Sequence, residues 1–65
     1  MNKTARVQIR VAGSTMTVCG QRAGNSIAFA GLQCFARGNK KSVFSRFSGE
    51  VQQHIWKMAC KAYKN

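Results

Sequence analysis

Residues 5–11 alternate without a break: Ala5, Val7, Ile9 and Val11 are apolar, and Arg6, Gln8 and Arg10 between them are polar or basic. A period of two puts these sets on opposite faces of an extended strand, one fit for burial and the other for water. Gly13-Ser14 follows, a Gly-X pair of the kind that closes a two-residue hairpin, and Thr15 to Cys19 resume with β-favouring residues. With residues 13 and 14 as the loop, Val11 is expected opposite Met16, Ile9 opposite Val18 and Val7 opposite Gly20. The other face then pairs Arg10 with Thr17, Gln8 with Cys19 and Arg6 with Gln21. Apolar meets apolar on one side and mainly polar meets polar on the other, which a hairpin covered on one face requires.

Two more Gly-X pairs, Gly24-Asn25 and Gly38-Asn39, come eleven and then fourteen residues further on. Turns at such intervals predict a meander. Residues 26–37 admit two readings. Ile27, Ala30, Gly31, Cys34 and Phe35 match helical spacing, with Asn25 as N-cap and Gly38 just past the end. That helix would be apolar on nearly all sides through Phe29, Leu32 and Ala36, which a small domain rarely covers, so a third strand is the preferred reading. Pairing about Gly24-Asn25 sets Phe29 over Gly20 but Gln33 against Met16, so the strand needs a bulge near Gly31 to restore phase. Residues 40–47 fit a short strand, a loop or a first helical turn.

Ser48 reads as an N-cap, with Glu50 in the turn after it. Val51, Ile55, Met58, Ala59 and Ala62 then form an amphipathic stripe, and Lys57, Lys61 and Lys64 gather towards the negative end of the dipole. The expected fold is α+β: a small antiparallel β-meander of two secure strands and a third, packed against a C-terminal amphipathic helix of roughly 15 residues. It forms one small domain spanning residues 1–65.

Charge narrows the function. Among 65 residues there are 11 Lys and Arg against one acid, Glu50, for a net charge of +10 and a pI near 10.7. With one carboxylate and no Asp, paired-carboxylate hydrolysis, carboxylate-held Mg²⁺ or Ca²⁺ and a Ser-His-Asp triad are out of reach within one subunit, so an enzyme is not expected. Cys19, Cys34 and Cys60 lack paired metal-ligand spacing and His54 is the only histidine, so the expectation is reduced thiols, no metal site and no cofactor. The 45% hydrophobic content argues against a disordered basic arm. Met1-Asn2-Lys3 opens no signal peptide and no run reaches the ~20 apolar residues of a membrane span, which predicts a cytoplasmic protein.

Two basic surfaces follow from these faces. One is the outer side of the hairpin, with Arg6, Gln8 and Arg10 beside Thr15, Thr17 and Gln21; Arg and Gln suit bidentate contact with base edges, and a β-ribbon fits the major groove. The other is the helix stripe of His54, Lys57, Lys61 and Lys64, extended by Lys40, Lys41 and Arg46, with Arg22 and Arg37 as further phosphate contacts. Either could equally be a solvated face. Trp56 and Tyr63 flank the stripe and are expected to close the core, with Phe29, Phe35, Phe44 and Phe47 as core or interface. The leading expectation is a nucleic-acid-binding protein, with duplex DNA as first partner and RNA as second. The alternative is a compact regulator or inhibitor of phage or mobile-element type that binds an acidic host protein such as a nucleic-acid enzyme. Membrane attachment through the helix is a weaker third, and both a monomer and a symmetric homodimer are compatible with the pattern.

Overall fold

The computed structural model describes residues 3–64. β1 (Thr4–Val11) and β2 (Ser14–Ala23) form an antiparallel hairpin; β3 (Ser26–Ile27) and β4 (Gln33–Ala36) both pair antiparallel with β2, and a 3₁₀ turn (Phe44–Arg46) leads into α1 (Gly49–Lys64). The result is an antiparallel sheet backed by one helix, the expected α+β architecture. β2 is the central strand, with β1 along one edge and β3 and β4 in succession along the other.

The hairpin loop is Ala12-Gly13, not Gly13-Ser14. Both residues have positive φ, 51° and 81°, as a type I′ turn demands, and that turn matches the twist of the flanking strands. The register therefore differs from the expected one by two residues: Ile9 lies opposite Met16, Val7 opposite Val18, Ala5 opposite Gly20, and Arg6 opposite Cys19. A shift of two preserves the faces, since side chains alternate with period two. Ala5, Ile9, Val18 and Cys34 are buried on one side with Ile55 and Ala59 of α1, and Arg6, Gln8 and Arg10 are exposed on the other.

Residues 26–37 form neither a helix nor one continuous strand. β3 follows Gly24-Asn25 in the expected register, with Arg22 opposite Ile27. Ala28 still donates its amide to the Gln21 carbonyl at 2.8 Å, and the chain then leaves the sheet over residues 29–32, where the Leu32 amide donates to the Phe29 carbonyl at 3.1 Å and Gly31 takes φ 77°. It returns as β4 with Gln33 opposite Cys19 rather than Met16. The interruption is longer than a one-residue bulge, though it lies around Gly31. Gly20 faces this excursion, and a Cβ there would come within 2.6 Å of Ile27 Cγ2 and 2.8 Å of Leu32 Cδ1. The loop can fold down onto β2 only because that position has no side chain.

The far edge of β4 is covered. Cys34 donates its amide to Ser42 Oγ at 3.1 Å and accepts from the Val43 amide at 2.8 Å, and Ser42 Oγ also accepts from the Phe44 amide. The segment between β4 and α1 thus acts as a partial extra strand, which satisfies backbone groups that an open edge would expose.

Ser48 caps α1 as expected, its Oγ accepting from the Val51 amide at 3.4 Å. The buried stripe centres on Ile55 and Ala59, and Val51, Trp56, Met58, Cys60 and Tyr63 pack against it; Ala62, expected in the stripe, is exposed. α1 lies over β1 and β3. Trp56 closes the core at that margin, donating Nε1–H to the Ile27 carbonyl at 2.6 Å, which also accepts the Cys60 thiol at 3.5 Å. Phe29 stacks edge-on against both Phe44 and Trp56, with centroids 5.8 and 5.5 Å away, and remains 36% exposed rather than joining the core. No helix among the described residues is long and apolar enough to cross a membrane.

Candidate nucleic-acid interface

The helix covers one side of the sheet, and the opposite side carries the candidate residues of the hairpin. Pairing across β1, β2 and β4 arranges its side chains in rows. Arg6, Cys19 and Gln33 make one row and Gln8, Thr17 and Phe35 the next; Arg10 beside Thr15 makes a third. Arg37, just beyond β4, lines a shallow depression with Gln8, Thr15 and Thr17 and a second one with Arg10 and Thr15. Arg10 and Arg37 therefore flank Thr15 at the hairpin end, and Arg6 stands along the β1 margin. Thr15, Thr17, Cys19 and Phe35 are half-buried in the middle, whereas Arg6, Gln8, Arg10, Gln33 and Arg37 are exposed around them.

The local reasons are those of an alternating strand. Burial of Ala5, Ile9 and Val18 dictates that the residues between them face out. The turn holds the hairpin end in place, and the Arg10 guanidinium donates to the Gly13 carbonyl at 3.3 Å. The only acidic side chain in the sequence, Glu50, belongs to the first turn of α1. The arginine field on the sheet is thus opposed by no carboxylate of its own face. Two strand spacings of about 4.8 Å put the axes of β1 and β4 roughly 10 Å apart.

Of the residues singled out in the sequence, Arg6, Gln8, Arg10, Thr17 and Arg37 come together on this face. Arg22, Lys57, Lys61 and Lys64 line clefts on the helix side. Lys40, Lys41 and Arg46 are exposed on the connection between β4 and α1 and line none of these clefts and depressions. Gln33 and Phe35 were not anticipated on the sheet face. Their alternation with buried Cys34 was visible, but their position opposite Cys19 and Thr17 depends on the length of the excursion over residues 29–32, which no residue pattern announces.

Cys34 is fully buried beneath the sheet, its thiol donating to Met16 Sδ at 3.3 Å. Burial pushes that thiol above its ordinary range, and Cys19 acts in the same direction. All three cysteines are free thiols. The chain matches no known protein family, no curated protein and no solved structure.

Proposed function

We propose that this protein binds nucleic acid, duplex DNA in the first place, by laying the open face of its sheet into the major groove. The observation that carries the reading is the arrangement of Arg6, Arg10 and Arg37, with Gln8 and Gln33, around a half-buried centre of Thr15, Thr17, Cys19 and Phe35, on a face that the helix leaves uncovered. Arginine pairs bidentately with guanine and glutamine with adenine, and an apolar contact such as Phe35 suits the thymine methyl group. Phosphate neutralisation supplies most of the affinity, and the polar rows supply discrimination among bases.

Gel-shift titration of a short duplex across salt tests this. If about five phosphates are neutralised, log K falls against log salt with a slope of about −4.5, and the triple variant Arg6→Ser/Arg10→Ser/Arg37→Ser brings the slope to about −1.8. No binding to any polynucleotide at low salt would sink the proposal. Capture instead of one stoichiometric acidic protein, unaffected by nuclease, would transfer the same face to a protein partner.

A further inference from the structure

A second basic surface lies on the other side of the molecule. Arg22 stands at the end of β2 opposite Ile27, and directly opposed residues share a face, so Arg22 projects on the helix side. There it lines an open cleft with Asn25, Tyr63 and Lys64. Lys64 in turn shares an adjoining cleft of about 390 Å³ with Lys57, Lys61 and Trp56. The two clefts meet at Lys64 and make one cationic band, from the β2–β3 turn along the flank of α1. Lys57, Lys61 and Lys64 step along the helix at about 6 and 4.5 Å, on one side of it.

This band and the arginine face lie on opposite sides of the domain: Arg22 shares the helix-side face of β2 with Val18 and Gly20, whereas Arg6 and Arg10 stand on the side that the helix leaves uncovered, so a duplex seated on one face leaves the other open to solvent. Glu50, in the first turn of α1, is about 10.5 Å along the axis from Lys57 and about 21 Å from Lys64, so it opposes the band only at its Lys57 end. Lys61 and Lys64 also complement the C-terminal dipole of α1, but Arg22 and Lys57 lie outside that last turn and have no such role.

We propose that a single copy of this protein holds two duplexes at once, one against the sheet and one against the Arg22/Lys57/Lys61/Lys64 band, and so bridges nucleic-acid segments. The proposal rests on the sheet-face reading given above. The sheet offers base-reading side chains, whereas the band offers chiefly cations, so the second duplex is held by its phosphates without regard to sequence.

The test uses beads carrying a biotinylated duplex, the full chain and a fluorescent duplex free in solution, with bead-bound protein and retained fluorescence measured separately. Wild type is expected to load and to retain the fluorescent duplex. Arg22→Ser/Lys57→Ser/Lys61→Ser/Lys64→Ser, loaded to the same level, is expected to lose about tenfold of that retention as its four phosphate contacts disappear. The bridge is overturned if loaded wild type retains no second duplex, or if the quadruple variant retains as much as wild type, as bridging through paired protein copies would give. The sheet assignment is read from loading alone: it fails if Arg6→Ser/Arg10→Ser/Arg37→Ser loads as well as wild type. Thermal melts of both variants confirm that the exposed substitutions leave the fold intact.

Discussion

Ala12 is the described non-glycine residue with positive φ. An L-residue with a Cβ in that region costs roughly 1–2 kcal/mol, and Asn tolerates it better because its side chain bonds locally to the backbone. Ala12→Asn creates the preferred Asn-Gly pair of a type I′ turn and is expected to stabilise the protein by about 1 kcal/mol, a rise in Tm of roughly 4–8 °C by scanning calorimetry. Gly20 presents the reverse case, since a methyl there meets Ile27 and Leu32 at less than 3 Å. Gly20→Ala is expected to cost about 1–3 kcal/mol by overpacking, read as a fall in the denaturant midpoint. Cys34 adds a pH dependence of definite sign. Its folded-state thiol titrates above the ordinary value of 9.0 because burial penalises the thiolate. Below that value the thiol is neutral in both states and its contribution is fully present; as pH rises past 9.0 the unfolded chain ionises first, and stability falls until the folded thiol ionises as well. Comparing unfolding midpoints of wild type and Cys34→Ala on either side of pH 9.0 isolates this component, and the wild type should show the steeper decline.

At the scale of elements, α1 depends on its cap and on Trp56. Ser48→Ala removes the acceptor for the Val51 amide and is expected to cost about 1 kcal/mol in urea titration, whereas Ser48→Asp should hold stability, since Asp caps equally well and its charge favours the dipole. These features were legible in the sequence: a hydroxyl before a 3.6-residue stripe, and alternation before a Gly-containing turn, are local signals with local causes. The hairpin faces were legible as well, and they survived the misplaced turn because the error was an even number of residues. The turn itself was obscured because Gly13-Ser14 matches the Gly-X signal of a two-residue hairpin, whereas the loop that forms asks Ala12 to take a positive φ; pairing of eight consecutive residue pairs outweighs that local cost. The path of residues 29–32 was not legible. It is decided by what fits against Gly20 and by the aromatic contacts of Phe29 with Phe44 and Trp56, all of them long-range. The same blind spot hid Gln33 and Phe35 from the candidate site, because their row on the sheet depends on that path.

Taken as a whole, the molecule holds a net charge of +10, and nine buried hydrophobic residues among those described form its core. A chain of this size carries roughly 3–10 kcal/mol of stability, so self-repulsion at the surface is a sizeable opposing contribution. Raising ionic strength from about 0.01 to 0.15 M shortens the screening length from ~30 to ~8 Å. The protein should accordingly melt at a higher temperature in the saltier buffer, by about 4 °C or more if ~1 kcal/mol of repulsion is relieved. On the proposed function, salt therefore acts in opposite directions on two properties: it strengthens the fold and weakens the proposed polynucleotide binding.

The placement of α1 also governs the order of events on the ribosome. β2 pairs with β1, β3 and β4, all of them within residues 4–36, so the whole sheet can assemble as those residues emerge. The layer that dries its apolar side comes from residues 49–64, which reach back to β1 and β3. Until synthesis has passed the far end of that helix, Ile9, Val18 and Cys34 remain wetted, and the nascent sheet is a sticky surface whose solubility rests on the arginines of its other side.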